Sequence, residues 1–253
     1  MDRLKGLFFD LDGVIIESEK DGHRIAFNKT FQNFGYSFQW DVNEYQELIK
    51  ISGGKERMKY YFNAKGLVGN KNPEELDDLI RKMHNYKTEE FIALIEKGNL
   101  PLRPGVKRVM KKANELGLII GICTTADKRT AHAVANNLLA EIELGFIIAG
   151  DMVANKKPDP EIYNLALETS GLTADQCVVF EDSRNGLLAA KAAGLRVIIT
   201  PSVYTENEDF SEADLIVTSL GDCDGEKSML LYSAKDIAVN GELRVEQIRN
   251  LFA

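Results

Sequence analysis

Cysteine is scarce in this chain of 253 residues, which contains only Cys123, Cys177 and Cys223. An odd number of widely separated cysteines fits neither a disulfide framework nor a zinc site. We therefore expect a reducing compartment. The cytoplasm is the expected location, and the plastid stroma is the alternative if a transit peptide has been removed.

The chain also has fewer positive than negative residues: 31 Lys and Arg against 39 Asp and Glu, for a net charge of -8. The sequence has no basic run with interleaved aromatic residues, so nucleic acid is not an expected partner. The apolar run after Gly6 is interrupted at Asp10, and no apolar window approaches the length of a membrane span. We expect a soluble protein without a membrane or nucleic-acid partner, acting as a monomer.

A short apolar run near the start of the chain ends in two carboxylates. Residues 7–9 resemble the end of a buried strand, and Gly13 allows the chain to turn out of it. Asp10 then lies at the carboxyl edge of the strand, where open parallel sheets bind ligands, and Asp12 can face the same crevice. Two carboxylates this close favour a shared proton or a bound cation. Both suit phosphoryl transfer, in which one Asp attacks phosphorus and the other exchanges a proton.

A strand followed by a simple turn is the alternative interpretation of this motif, since Asp and Gly are common turn residues. The same pattern recurs at Asp222-Cys223-Asp224-Gly225, where it follows Ser219-Leu220-Gly221 instead of an apolar strand. We predict a solvated turn at this second copy. Asp10 differs from Asp222 because a predicted apolar strand directly precedes it.

The hydrophobic pattern divides the chain into a core and an insertion. Residues 18–100 show helical spacing throughout, with Asn72-Pro73 and Glu75 predicted to start a helix. Residues 1–17 and 101–253 alternate short apolar runs with helical stripes, which indicates an α/β fold with a doubly wound parallel sheet. We predict a Rossmann-like core with an inserted helical cap. The expected strands after the first cover residues 118–123, 146–149, 177–180, 195–200 and 214–217, and a last helix covers 245–252.

Polar side chains also follow other predicted strands of the core, namely Thr124, Thr125, Glu181 and Asp182, and Lys157 precedes a predicted helix. Each has a simpler interpretation by itself: the threonines and carboxylates as helix caps, the lysine as a solvated surface charge. Because parallel strands end at the same edge of a sheet, these groups are expected to converge near Asp10.

This ordered set of residues resembles the four motifs of the haloacid dehalogenase superfamily. The motifs are Asp10-Leu11-Asp12-Gly13-Val14, Thr124, Lys157-Pro158 and Glu181-Asp182-Ser183. Within the superfamily the chain is most similar, over about residues 5–220, to the branch of CbbY-type sugar-bisphosphate phosphatases and β-phosphoglucomutases. Val14 and Asp127 depart from the pattern, since many relatives have Thr at the first position and Ser, Thr or Lys at the second.

The resemblance implies roles for these residues. Asp10 would be the nucleophile, and Asp12 the acid and base whose backbone carbonyl also reaches a metal. Asp10, Glu181 and Asp182 would complete a Mg²⁺ site of hard oxygen ligands. Thr124 and Lys157, with Thr125 beside them, would hold the transferring phosphoryl group.

The insertion is expected to choose the substrate. Gly53-Gly54 allows close backbone approach at the start of a helix, and Lys55 and Arg57 add positive charge, which predicts a site for a second phosphate. A solvated surface loop is the alternative. Glu19, His23 and Tyr45 are candidates for contacts with sugar hydroxyls.

The function implied is a Mg²⁺-dependent phosphatase acting on a phosphosugar such as xylulose 1,5-bisphosphate through an aspartyl-phosphate. Two alternatives stay open at this point: a β-phosphoglucomutase-like enzyme, and a phosphosugar-binding protein without turnover.

Overall fold

The computed structural model describes residues 3–51, 53–69 and 72–252. The chain divides into two compact units, one formed by Met1–Glu17 with Pro101–Ala253 and the other by Ser18–Leu100. They are called here the sheet unit and the helical unit. Within the described ranges, no helix combines the length and the apolarity that crossing a membrane requires.

The sheet unit is built on one seven-stranded sheet with the strand order β3-β2-β1-β4-β5-β6-β7. All neighbouring strands are parallel except the last pair, in which β7 runs antiparallel to β6. The strands are β1 (Gly6–Phe9), β2 (Ile119–Cys123), β3 (Phe146–Ile148), β4 (Cys177–Glu181), β5 (Arg196–Ile199), β6 (Leu215–Val217) and β7 (Leu230–Ser233). Every residue of β1 and β4 is buried, as expected for central strands covered on both faces. The predicted α/β fold is confirmed.

The helical unit contains α1 to α4, and the sheet unit contains α5 to α9. In chain order they are α1 (Arg24–Asn33), α2 (Val42–Leu48), α3 (Gly54–Ala64), α4 (Pro73–Glu96), α5 (Val106–Glu115), α6 (Lys128–Leu138), α7 (Glu161–Ser170), α8 (Arg184–Ala192) and α9 (Val245–Arg249). One π-helical turn, Ser18–His23, precedes α1.

Helix α4 begins as its sequence predicts. Asn72 and Glu75 form a reciprocal capping box, and Pro73 occupies the first turn, where its missing N–H costs nothing. The buried face of α4 contains Leu76, Ile80, Met83, Lys87 and Phe91. This stripe packs the helix into a core of aromatic residues that includes Phe27, Phe31, Trp40 and Phe62.

The tail of the chain differs from expectation in two ways. Strand β7 was not predicted, because Leu230, Leu231 and Tyr232 follow one another without the alternation of apolar and polar residues that predicts a half-buried strand. In the structure these side chains are exposed. The predicted helix over 245–252 is α-helical only to Arg249 and ends in a 3₁₀ turn. The predicted turn after Asp222 is present and exposed.

Candidate active site

Asp10 lies at the carboxyl edge of the central strand β1. Its backbone N–H donates to the carbonyl of Phe180 in β4 at 2.9 Å, which fixes the position of Asp10 by sheet register. The chain then turns through Gly13, whose φ of 75° lies in the left-handed region. A Cβ atom at Gly13 would overlap the carboxylate of Asp182. Glycine is therefore needed here for both conformation and space.

Lys157 joins the ends of three neighbouring strands. Its Nζ donates to Asp10 Oδ1 at 2.6 Å and to Glu181 Oε1 at 2.6 Å, and also to the carbonyl of Cys123 at 2.9 Å. The side chain is only 5% exposed, so both ion pairs are shielded from water. One ammonium group thus holds carboxylates from β1 and β4 against the end of β2.

Glu181 is enclosed on several sides. The hydroxyl of Tyr163 in α7 donates to its Oε1, the atom that Lys157 also contacts. A Cβ atom at Gly186 would overlap the carboxylate, so α8 can pass this close only with glycine there. Among the described residues, Glu181 Oε2 is buried and has no hydrogen-bond partner. A buried carboxylate oxygen without a hydrogen-bond partner indicates that a ligand from outside the protein chain binds there.

Three buried carboxylates form a group that could hold a metal ion. Asp10, Glu181 and Asp182 each offer one oxygen, and these atoms lie within 4.8 Å of one another. Hard carboxylate oxygens are the ligands that Mg²⁺ and Ca²⁺ prefer, and a divalent cation would satisfy the partnerless oxygen of Glu181. The donor set therefore fits the metal implied by the sequence. Asp12 contributes no side-chain oxygen to this group.

The pKa values of the carboxyl groups reflect this crowding. Burial raises the pKa of Asp10 to about 8, with Lys157 opposing the rise and the charges of Glu181 and Asp12 adding to it. Burial, followed by Asp10 and Glu181, raises the pKa of Asp182 well above its ordinary value. Burial alone would lower the pKa of Lys157, but its carboxylate partners raise it. Without a second cation, the group is thus disposed to retain protons.

The two threonines after β2 lie in different surroundings. Thr124 is fully buried, and its hydroxyl oxygen accepts from the N–H of Ala126 at 3.0 Å. Thr125 is exposed, and its carbonyl accepts from Lys156 at 3.2 Å. Neither caps α6, because Asp127 accepts the N–H of Thr130 at 2.9 Å and does so instead. Asp127, which departs from the family pattern, therefore has a structural role as the N-cap of α6.

Several residues around the carboxylates were missed by the sequence analysis. Tyr163 reads as an ordinary core aromatic of α7, and Thr205, which donates to Asp182 Oδ2 at 3.4 Å, lies in a loop without any pattern. Arg103 donates to the carbonyl of Gly13. Its only signal is its position at the change from helical to alternating pattern.

In the helical unit, Glu19, Tyr45 and Arg57 are brought together. Arg57 is buried and donates through Nε to the carbonyl of Leu48 at 3.0 Å and through Nη1 to the Tyr45 hydroxyl at 2.7 Å. That hydroxyl donates to Glu19 Oε2 at 2.6 Å, and Glu19 lies 3.9 Å from Arg57. These three predicted residues form one connected polar group.

His23 lies beside a buried lysine that the sequence analysis did not select. Lys87 Nζ is 2.8 Å from His23 Nδ1 and lies over the rings of Phe27 and Phe91, at 4.9 and 5.4 Å from their centroids. Burial lowers the pKa of His23 well below its ordinary value, and the positive charges of Lys87 and Arg57 lower it further. The imidazole is therefore neutral and accepts a hydrogen bond from Lys87.

The glycine loop places Lys55 and Arg57 on different sides. Gly53 precedes α3 with a φ of 89°, and the helix begins at Gly54. Arg57 is buried, whereas Lys55 is exposed and lines a surface cleft that includes Lys59 and Asp77. Burial lowers the pKa of His84 to about 4, with Lys87 and Lys55 contributing. The cleft beside Lys55 also contains Glu56, Glu74 and Asp78, so Lys55 lies among charges of both signs.

Residues 4–194 match the model of a protein family described as haloacid dehalogenase-like hydrolase. The CBBY-like protein of Arabidopsis thaliana is 47% identical over 230 residues, which cover 89% of this chain and 72% of that protein. CbbY from Rhodobacter sphaeroides, solved in complex with xylulose-(1,5)bisphosphate, is 38% identical with a TM-score of 0.68, covering 85% of this chain and 94% of that one. The phosphorylated carbohydrates phosphatase of Thermotoga maritima is 28% identical over 195 residues, covering 77% and 84%. The matched family range contains Asp10, Lys157 and all three clustered carboxylates.

Proposed function

We propose that this chain, which belongs to the haloacid dehalogenase-like hydrolases and is a phosphatase, removes one phosphate from a sugar bisphosphate with the help of Mg²⁺. The observation that carries the proposal is the buried arrangement of Asp10, Lys157, Glu181 and Asp182 at the carboxyl edge of the sheet. A ketose bisphosphate of the xylulose 1,5-bisphosphate type is the proposed substrate. Support for this choice comes from the complex of the 38% identical relative.

Asp10 is the proposed nucleophile. Its carboxylate oxygen forms a bond to phosphorus while the bond between phosphorus and the sugar oxygen breaks, and the departing oxygen takes the proton of Asp12. A water molecule then attacks the phosphorus of the aspartyl-phosphate. Asp12, now a carboxylate, accepts a proton from that water, and inorganic phosphate leaves as Asp10 is restored. Asp12 suits this role because it is close enough to Asp10 to influence its pKa.

Lys157 offsets the repulsion between Asp10 and the incoming phosphate. Two unit charges of the same sign at ~4 Å repel by about 4 kcal/mol at an effective dielectric of about 20. The ammonium group of Lys157 is 2.6 Å from Asp10 Oδ1 and is therefore placed to reduce this repulsion. Thr124 and Lys157 are proposed to bind the transferring phosphoryl oxygens, with Thr125 nearby in sequence.

The side chains of Asp10, Glu181 and Asp182 and the backbone carbonyl of Asp12 are the proposed ligands of Mg²⁺. The fit rests on the 4.8 Å grouping of buried carboxylate oxygens and on the partnerless Oε2 of Glu181. When bound, the ion supplies positive charge that draws the phosphate toward the nucleophile. Glu181 is held for this task by Tyr163 and Lys157.

The helical unit, Ser18–Leu100, is proposed to select the substrate. Arg57, Lys55 and the backbone at Gly53-Gly54 are the proposed contacts of the second phosphate, and Glu19, His23 and Tyr45 those of sugar hydroxyls. Support comes from the burial of Arg57 and Lys87. Glu19 lies 3.9 Å from Arg57, and the Lys87 ammonium group lies 2.8 Å from His23, whose pKa is lowered by burial. Buried cations of this kind attract an anionic group.

The test is phosphate release from a panel of sugar monophosphates and bisphosphates, with Mg²⁺ and with EDTA, and with Asp10→Asn as the inactive control. We expect preference for a ketose bisphosphate, and loss of at least about 1,000-fold in kcat with the variant, because the amide cannot attack phosphorus. Unchanged activity of Asp10→Asn would refute the mechanism. Conversion of β-glucose 1-phosphate to an isomer would instead identify a mutase, and binding without release a phosphosugar-binding protein.

A further inference from the structure

The guanidinium of Arg103 binds the backbone at the ends of three strands of the sheet unit. Nη1 donates to the carbonyl of Gly13, after β1, and to that of Thr200, after β5, at 2.7 Å. Nη2 donates to the carbonyl of Pro201 at 2.8 Å and to that of Thr218, after β6, at 3.4 Å. The side chain is only 10% exposed. A planar guanidinium with five N–H donors suits such a set of acceptors, and an ammonium group does not.

The main chain around Arg103 is tied to the same turn. Its N–H donates to the carbonyl of Ile15 at 2.9 Å, and Leu102 forms an antiparallel bridge with Ile16. Within the turn, the N–H of Gly13 donates to the carbonyl of Ile16 at 2.8 Å. The segment that follows Asp10 is thus held from outside by both the backbone and the side chain of Arg103.

A buried cation bound to carbonyl groups is a costly way to stabilise a fold, since removing its charge from water is unfavourable. Glu17 at 3.8 Å compensates this charge only in part. Burial also lowers the pKa of Arg103, although nearby carboxylates oppose this. A function beyond packing would explain why an arginine occupies this position.

We propose that Arg103 is a positioning residue that fixes the turn carrying Asp12. Gly13, whose carbonyl it binds, directly follows Asp12, and the Asp182 carboxylate lies against Gly13. Holding Gly13 therefore sets the position of Asp12 with respect to Asp10 and Asp182. The inference rests on the proposed function insofar as Asp12 is the acid and base. Proton transfer is sensitive to placement, and an error of about 1 Å lowers a rate by about 100-fold.

The test compares Arg103→Lys with the matched variant Arg108→Lys. Arg108 also binds loop carbonyls of the sheet unit, those of Leu220 at 2.8 Å, Gly221 at 2.6 Å and Leu243 at 3.1 Å. Both substitutions keep the charge and remove hydrogen bonds to loop carbonyls, so both melting temperatures should fall. The fall should be larger for Arg103→Lys, because that side chain is 10% exposed and Arg108 is 28% exposed. Arg103 differs in binding Gly13, and Arg108→Lys is expected to keep activity within about 2-fold of the unmodified protein.

Two phosphate esters separate positioning from general damage. The leaving group of p-nitrophenyl phosphate departs without needing a proton, whereas a sugar alkoxide needs the proton of Asp12. We expect Arg103→Lys to lower kcat/KM for a sugar bisphosphate by about 10- to 100-fold and for p-nitrophenyl phosphate by less than about 3-fold. Equal losses on both esters, or equal losses in the two variants, would overturn the proposal.

A second measurement is independent of turnover. Hydrogen exchange at the amides of Gly13, Ile15 and Ile16 should be faster in Arg103→Lys and unchanged in Arg108→Lys, because only the first variant releases this turn. Unchanged exchange in both variants would overturn the inference even in an active enzyme. Inactivity of the unmodified protein on every ester would refute the proposed function, while the exchange data would still decide whether Arg103 holds the turn.

Discussion

The two units of the molecule bury charge of opposite sign. In the sheet unit, three carboxylates are gathered around Lys157 at the ends of buried strands. In the helical unit, Arg57 and Lys87 are buried among aromatic rings, and Glu19 lies beside Arg57. A group of buried carboxylates favours the binding of a cation, whereas buried cations favour the binding of an anion.

The way each group is held also differs. Asp10 and Glu181 are positioned by strand register, since the N–H of Asp10 binds β4 and the carbonyl of Glu181 accepts from Thr200 at 2.8 Å. Arg57 and Lys87 depend on side-chain packing, with the guanidinium 5.1 Å from the Tyr45 ring and the ammonium 4.9 Å from the Phe27 ring. We therefore expect the carboxylates held by strand register to govern kcat, and the packed cations of the helical unit to govern KM. Substitutions around the carboxylates should therefore change mainly kcat, and substitutions of the buried cations should change mainly KM.

Displacing one carboxylate of the sheet unit without removing it is expected to have a large effect on catalysis. In Gly186→Ala the added methyl group would overlap the Glu181 carboxylate and displace it. We expect kcat to fall by about 100-fold or more and Mg²⁺ to bind more weakly, because both depend on the placement of Glu181. Steady-state kinetics and calorimetric titration with Mg²⁺ provide the measurement.

Gly225→Ala is the matched control for that substitution. A methyl group there meets only Asp222 Cβ, at an ordinary distance of 3.5 Å. Its activity should equal that of the unmodified protein. Full activity of Gly186→Ala would mean that the position of Glu181 has no part in the reaction.

The helical unit is tested by comparing Arg57→Ala with Lys55→Ala. Because Arg57 is buried and Lys55 is exposed, we expect KM for a sugar bisphosphate to rise by about 30- to 100-fold in the first variant and about 3-fold in the second. KM for a monophosphate should change little in either. Arg57→Lys, which keeps the charge, checks that lost packing is not the cause. Equal increases for bisphosphate and monophosphate would contradict a second-phosphate site.

The last expected effect concerns stability and not activity: in the absence of metal, the stability of the fold should depend on pH. The pKa of Asp10 rises from 3.8 to about 8 on folding, so between these values the folded state keeps a proton that the unfolded state has released. The resulting stability is fully present below about pH 4 and is lost as the pH rises to about 8. The slope for one group is at most about 1.4 kcal/mol per pH unit.

Melting temperatures measured in EDTA from about pH 5 to about pH 8 test this expectation. They should fall with pH, and they should fall less with Mg²⁺ present and in Asp10→Asn. A melting temperature that is independent of pH in EDTA would show that the carboxylates are compensated by the protein alone.

Much of the carboxylate centre could be predicted because parallel strands end at one edge. Asp10, Thr124 and Glu181 each terminate an apolar run, and the sheet places all three together. Lys157 lies just before α7 and not at a strand end. Its position before a predicted helix placed it among the groups expected near Asp10, and the family resemblance supplied its role. Tyr163 could not be recognised, since a hydroxyl aimed at a carboxylate looks like any core tyrosine in sequence.

The helical unit was less predictable because helix faces, and not strand ends, bring its polar groups together. Lys87 nevertheless had a signal: it occupies the buried stripe of α4 between Met83 and Phe91, four residues from each. A lysine within an apolar stripe is worth selecting as a candidate for function. The sequence of β7 had no such signal. A strand is predicted from alternating buried and exposed positions, and the large side chains of β7 are all exposed.

The position of β1 has a consequence for synthesis of the chain. This strand lies between β2 and β4, yet both neighbours follow the helical unit in sequence. On the ribosome, β1 therefore emerges long before its partners, while Ser18–Leu100 emerges as one continuous segment. The apolar stretch Gly6–Phe9 is left with both edges open during this interval, and such edges promote association. Chains that stop before Cys177 would therefore contain β2 but lack β4, which leaves one edge of β1 unpaired in an unfinished sheet.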